Sequence, residues 1–398
     1  MMLRAGAIPE RRVADRLYTR LSLFYFTYFA MLGAYAPYFG LYLKQHQFSP
    51  TQIGALLALA PVVRMMFPAL WAWVADHHQI GRALVLLSTT GATVCSVGLL
   101  FAHSFGWLFL TLLLVNVFWC AALPLVEAST FRHLRGRLGD YGRIRVWGSL
   151  SFVAAVALLG PLLDALGMAS LPWAILLLFA AMTATAWLLP PDRAPAVHAD
   201  HEPLRRTLLR PEVLVLFAAC FLMSASHGPY NTFYSIYLVD EGYTKTEVGL
   251  LWALSVVAEI LVFLWMPAIL RRFSIPAVIA FSLACAVVRF LVIGWAVESA
   301  WAVGLAQLLH AATFGAHHAA ALAAIYYFFR GRYQARGQAL YSALGFGAGG
   351  ALGMFGSGWL WAQLGPSLTF SCASIAALFA FVLTAFWLRL PAAAHASA

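Results

Sequence analysis

Charge is what this sequence has little of. Asp, Glu, Lys and Arg together supply 10% of its 398 residues, against 63% hydrophobic residues. A soluble domain carries about a quarter of its residues charged. This chain cannot shield that much apolar surface from water, so a bilayer must be its solvent. Cysteine is also sparse: Cys95, Cys120, Cys220, Cys285 and Cys372. All five lie inside apolar stretches and no two stand at metal-ligand spacing, so they read as small, reduced and structural. No HExxH or Asp-based catalytic motif appears. That leaves an intramembrane enzyme built on His310, His317 and His318 as the weakest reading. A cleavable signal peptide is not expected either. The first twenty residues hold Arg4, Arg11, Arg12, Arg16 and Arg20, and the apolar run after them is longer than a signal core.

What the chain does have is long apolar runs. Twelve segments are long enough to cross a bilayer as helices: 21–43, 51–75, 83–103, 107–130, 146–166, 169–189, 213–239, 246–270, 275–297, 300–329, 339–364 and 368–388. The longest polar stretch, 190–210, divides them six and six. The expected fold is therefore an all-α membrane protein of twelve transmembrane helices in two six-helix halves. Its parts are an N-terminal segment 1–20, halves 21–189 and 211–390, a linker 190–210 and a tail 391–398.

The basic residues carry the topology. With a cytoplasmic N-terminus, 21 of the 25 Lys and Arg fall in cytoplasmic segments, two (Lys44 and Lys245) fall in outer loops, and two (Arg64 and Arg289) fall inside spans. The formal net charge of +10 is thus a signal of orientation, with both termini cytoplasmic, and not a nucleic-acid footprint.

The sequence also repeats. At a shift of 195 residues, Tyr42-Leu43 meets Tyr237-Leu238, Ile53-Gly54 meets Val248-Gly249, and Ala58-Leu59 meets Ala253-Leu254. Far downstream, Arg135-Gly136-Arg137 and Gly142 meet Arg330-Gly331-Arg332 and Gly337 at the same shift. A constant offset over so long a stretch points to a duplicated six-helix unit. That is the plan of facilitators, which hold substrate near the midplane between two rocking halves.

Ionisable residues inside spans are costly, so each is a functional candidate. Arg64 lies in the second span, Glu127 in the fourth, His227 in the seventh, Glu259 in the eighth, Arg289 in the ninth and His310 in the tenth. At about 1.5 Å per residue, His227, Glu259, Arg289 and His310 sit at similar depth. A Glu beside Arg or His can exchange a proton near neutral pH, which suits a proton-coupling site. The alternative is a static ion pair that fixes helix packing. Arg64 and Glu259 occupy one repeat position. Arg64 either faces Glu259, pairs with Glu127, or binds an anionic substrate through its guanidinium fork.

Gly228-Pro229 predicts a kink in the seventh span. Beyond it, Tyr230, Tyr234 and Tyr237 recur on one face, as a surface for a ring or as packing. Gly345, Gly349, Gly353 and Gly356 in the eleventh span predict close helix approach. Asp76 and Arg82, with Gly81, look like a degraded facilitator loop signature, Gly-x-x-x-Asp-Arg-x-Gly-Arg-Arg, and are gating candidates.

Several stretches carry a family resemblance: 141–149, 242–259, Val287-Val288-Arg289, and Leu309-His310 with Thr313-Phe314. Over most of 20–388 the chain resembles the 3-phenylpropionic acid transporter branch of the major facilitator superfamily and, more distantly, the lactose permeases. The resemblance implies a substrate-binding pair Glu127 and Arg145, a Glu259 that links substrate to proton, and coupling roles for Arg289 and His310. It also shows departures. Thr313 stands where the permeases place a proton-carrying carboxylate, Gln307 where they have Lys, and Phe152 where a Trp stacks on sugar. Residue depth places Glu127 and Arg145 near the cytoplasmic face, which leaves open a gate lock instead of a site.

The reading is a proton-coupled symporter of a small organic anion, such as an aromatic, phenylpropionate-like carboxylate. A sugar or nucleoside is the alternative substrate. Substrate-binding candidates are Arg64, Glu127, Arg145, His227, Tyr230 and Tyr234; proton-coupling candidates are Glu259, Arg289 and His310. No cofactor or metal is expected beyond the proton gradient. The expected partners are substrate, protons and lipid, for a monomer in the cell inner membrane.

Overall fold

The computed structural model of the chain describes residues 7–78, 80–101, 104–134, 138–191 and 205–390. Among these residues the structure is helical throughout, with no strand. In chain order the helices are α1 (Ala7–Gln45), α2 (Pro50–His78), α3 (Gly81–Ser96), α4 (Phe105–Leu134), α5 (Leu138–Leu166), α6 (Leu171–Trp187), α7 (Arg205–Leu208), α8 (Pro211–Ser226), α9 (Gly228–Asp240), α10 (Lys245–Arg272), α11 (Ile275–Trp295), α12 (Ala300–His310), α13 (His317–Phe328), α14 (Gln334–Tyr341) and α15 (Gly350–Trp387). Ten stretches are long and apolar enough to cross a membrane. The last, Gln334–Trp387, is 54 residues long. As one straight helix it would reach about 80 Å, more than twice the hydrocarbon thickness. It breaks at Gly365, whose φ of 77° no ordinary helical residue adopts, with Pro366 following. Division there splits it into two segments. The tyrosine-rich α1 is outside the ten, so the stretches that length and apolarity single out among the described residues fall short of the expected twelve.

Local chemistry sets the ends and breaks. Thr244 and Glu247 close a capping box on α10: the Thr244 hydroxyl accepts from the Glu247 N–H at 3.1 Å and the Glu247 carboxylate accepts from the Thr244 N–H at 2.7 Å. Ser274 and Ser299 cap α11 and α12 in the simpler way. The kink predicted at Gly228-Pro229 is present: α8 stops at Ser226, and α9 starts at Gly228 with its proline in the first turn. Two π-helical turns have no sequence signal. Ala311–Ala316 interrupts the tenth predicted span between α12 and α13, and Ser342–Gly349 links α14 to α15.

The chain forms two compact units: Met1–Tyr35 with Phe67–Ala155 and Ala169–His198, and Ala36–Met66 with Val156–Met168 and Ala199–Ala398. The first unit is tied by apolar helix faces and a few polar bridges, among them Thr27 to Thr185 at 2.8 Å and Thr93 to Thr183 at 2.9 Å. In the second unit, glycines bring backbones together. A Cβ on Gly349 would stand 2.5 Å from the Phe221 carbonyl oxygen, and one on Gly54 2.9 Å from Gly358 Cα. Gly349, and Gly353 against Ala225, realise the close approach expected of the glycine repeat, whereas Gly356 meets nothing. At one end of α5, Asp164 receives the backbone N–H of Lys245 at 3.1 Å and of Thr246 at 2.9 Å, plus the Thr246 hydroxyl at 2.6 Å. It thereby satisfies N–H groups that the first turn of α10 leaves free. Lys44 and Asp240, 196 positions apart in the sequence, form an ion pair.

Candidate functional site

Within the second unit, α9 to α13 bring most of the predicted spans' polar residues into one cluster around Arg289 on α11. The guanidinium is fully buried. Its Nε donates to the Ala306 carbonyl at 3.0 Å; Nη1 faces His227 Nε2 and Thr313 Oγ1, each at 3.4 Å; Nη2 faces Gln307 Oε1 at 3.4 Å. Its Cζ stands 4.1 Å from the Tyr230 ring centroid. Every one of these neighbours is neutral. Among the described residues no carboxylate pairs with Arg289.

His227 sits at the α8–α9 break. Its Nδ1 lies 2.8 Å from the Met223 oxygen, which makes Nδ1 the protonated nitrogen and leaves the one Nε2 lone pair to accept from Arg289, with Thr313 Oγ1 3.4 Å away. Tyr230 donates to Gln307 Oε1 at 3.1 Å and packs on Tyr234, Trp252 and His310 at centroid distances of 4.8, 4.9 and 5.6 Å. Both tyrosines are buried. Tyr237 is turned to packing, with its hydroxyl donating to the Gly294 carbonyl at 3.2 Å.

Glu259 on α10 enters this cluster through His310, with Oε2 3.8 Å from Nε2. That separation suits an ion pair when His310 is protonated, and is too long for a neutral hydrogen bond. The π turn assists: Gly315 lies against Glu259, where an added Cβ would come within 3.1 Å of Glu259 Cγ. The other tenth-span histidines each bond a neighbouring side chain. His317 bonds Ser282 at 3.0 Å and His318 bonds the Tyr341 hydroxyl at 2.8 Å.

The remaining candidates lie elsewhere. Glu127 and Arg145 belong to the first unit. Tyr141 donates to Glu127 at 3.3 Å, Arg145 lies over the Phe29 ring at 3.9 Å, and the two charges interact. Arg64 is exposed on α2. Arg82 donates to the carbonyl of Trp187, the last residue of α6, at 2.8 Å, so it closes a helix end. The side chain of Asp76 lies outside the described residues.

The family described as MFS_1 like matches residues 18–372. A probable 3-phenylpropionic acid transporter of Escherichia coli (strain K12) is 31% identical over 368 residues, covering 89% of this chain and 94% of its own. This chain belongs to the major facilitator superfamily. It falls in the MFS_1-like family and the branch of that relative, as a multi-pass membrane transporter and not an enzyme. A maltose permease of Geobacillus stearothermophilus is 28% identical over 334 residues, covering 83% and 84%. Among solved structures, a point mutant of the nucleoside transporter NupG superposes with a TM-score of 0.84 at 18% identity, covering 92% of this facilitator and 99% of that chain. A POT family transporter in complex with a thioalcohol conjugated peptide gives 0.73 at 14%, covering 94% and 95%.

The departures from the permease pattern gain a physical sense in this facilitator. Gln307 and Thr313, which replace charged residues, are both hydrogen-bond partners of Arg289. Sequence reasoning treated them only as losses. A signal was available: both lie on the tenth span at the depth of Arg289, and a buried guanidinium needs several acceptors.

Proposed function

We propose that this facilitator is a proton-coupled symporter of a small organic anion, of the aromatic, phenylpropionate-like carboxylate class. The observation that carries this reading is the Glu259–His310 contact of 3.8 Å beside the buried Arg289 network. A proton on Glu259 leaves His310 neutral. Loss of that proton creates an anion next to an imidazole and near a guanidinium that no carboxylate pairs with among the described residues, so the two protonation states differ in their interactions within one cluster. The relative named for 3-phenylpropionic acid supports the substrate class. The basic-residue bias supports both termini in the cytoplasm of a cell inner membrane. The protein acts as a monomer, with the proton gradient and no cofactor as its energy source.

The alternative substrate, a neutral sugar, is favoured by the 28% identity to a maltose permease. The two readings separate in proteoliposomes. Labelled 3-phenylpropionate is expected to accumulate only with an inward proton gradient in the wild type. In Glu259→Gln the gradient dependence should vanish while exchange persists. Gradient dependence that survives in Glu259→Gln moves the proton to His310. Accumulation of maltose with none of 3-phenylpropionate selects the sugar.

A further inference from the structure

A second aromatic group adjoins the cluster, and beyond His310 neither the charge pattern nor the coupling scheme uses it. His310, Phe314 and His318 stack as successive rungs, with centroids 5.4 and 6.3 Å apart and planes within 11° and 15°. Phe346 meets this ladder and Tyr341 obliquely: 6.1 Å from Phe314, 5.6 Å from His318 and 5.5 Å from Tyr341, with planes at 56°, 61° and 76°. The group has a closed side and an open one. Tyr341 is buried and bonded to His318 at 2.8 Å, while Phe346 is 37% exposed and Phe314 and His318 are partly exposed.

The backbone is distorted where these rings are presented. Phe314 lies in the π turn Ala311–Ala316 and Phe346 in the π turn Ser342–Gly349. Such turns are rare and collect at functional sites. One end of the ladder is His310, the partner of Glu259, and its buried Nδ1 has no hydrogen-bond partner among the described residues. A cation lies on the stretch of α2 that packs on this turn. Exposed Arg64 precedes Met65, whose Cβ would stand 2.8 Å from a Cβ on Gly347, the residue after Phe346.

We infer that Phe314, His318 and Phe346 form the ring-binding subsite for the transported acid, with Arg64 on the carboxylate. This rests on the aromatic-acid reading and deepens it. Rings in such a corner hold a guest ring edge-to-face or offset, at centroid distances of about 4.5–7 Å, and favour it over a saturated ring of the same size. A guest ring there would lie next to the Glu259–His310 pair, so its arrival would dehydrate the group that carries the proton.

The test is titration of purified full-length protein with 3-phenylpropionate and with 3-cyclohexylpropionate, its saturated counterpart. Wild type should prefer the aromatic acid. Phe346→Leu and Phe314→Leu should each weaken 3-phenylpropionate about three- to tenfold, the range that one ring pair supplies, and change the saturated acid less than about twofold. Phe346→Trp should restore the preference, and Arg64→Gln should weaken both acids alike. Phe346 is the more exposed ring, so its variants carry the result if Phe314→Leu does not fold. Leucine variants that keep the aromatic preference overturn the subsite and leave the aromatic-acid reading standing. A folded wild type that binds neither acid overturns both.

Discussion

The Arg289 guanidinium lies 4.1 Å above the ring of Tyr230, and the hydroxyl of that same tyrosine donates to Gln307, a second partner of the guanidinium. Tyr230 therefore holds the charge twice, through its face and through an acceptor that it orients. Lysine at position 289 keeps the charge and loses the fork. Its single ammonium cannot reach Ala306, His227, Thr313 and Gln307 together. Arg289→Lys is expected to cost about 1–3 kcal/mol, because buried acceptors are left unmet. A clear fall in melting temperature in detergent, with transport lost, is the expected result; an unchanged melting temperature would contradict this account.

Gly315 gives a graded probe of the coupling contact. An alanine methyl would press on Glu259 Cγ from 3.1 Å. The carboxylate can give way by a few tenths of an ångström, but its distance to His310 must change. Gly315→Ala should keep its fold and shift the pH dependence of uptake, with a smaller effect than Glu259→Gln. Identical pH profiles for Gly315→Ala and wild type would show that this approach does not matter.

Asp164 offers a test on stability. Its carboxylate closes the first turn of α10 through two backbone N–H groups and the Thr246 hydroxyl. A lost N-terminal cap costs about 0.5–2 kcal/mol, and the partial exposure of this side chain places Asp164→Ala toward the lower part of that range. Asp164→Asn keeps an acceptor and should recover part of the loss in a thermal melt. Equal melts for the two variants would show that charge, not hydrogen bonding, is the main contribution.

Gly365 is a conformational requirement with space to spare. Nothing lies within 4 Å of an added Cβ, so any cost of Gly365→Ala comes from its positive φ. That cost is about 1–3 kcal/mol, because φ 77° with ψ −177° is backbone space essentially limited to glycine. Gly365→Asn should cost about as much, since asparagine is favoured only in the αL region. Equal falls in melting temperature for the two variants are expected, and a milder asparagine variant would contradict this account.

The sequence made the architecture legible because lipid imposes length and apolarity on each span, and because charge bias and the 195-residue repeat both survive in composition. It also singled out His227, Glu259, Arg289 and His310, since ionisable residues in spans are few. What it hid is the fine path of the backbone. Neither Ala311–Ala316 nor Ser342–Gly349 contains a residue that demands a π turn, so Phe314 and Phe346 read as ordinary span residues. Polar partners were hidden likewise. Gln307 and Thr313 matter only through their distances to Arg289, and Arg82 through a carbonyl 105 positions away.

Gly228, at the head of α9, and Gly353, in α15, meet backbone to backbone: a Cβ on Gly228 would overlap the carbonyl of Gly353, and one on Gly353 the carbonyl of Ala225. Crowding between side chains can be relieved by trimming the neighbour. Here the neighbour is already glycine, and the obstructing atoms belong to the main chain. No second substitution in α15 can make room for a methyl group at position 228. Suppressor selections starting from Gly228→Ala should therefore return only true revertants, or changes that move a whole helix.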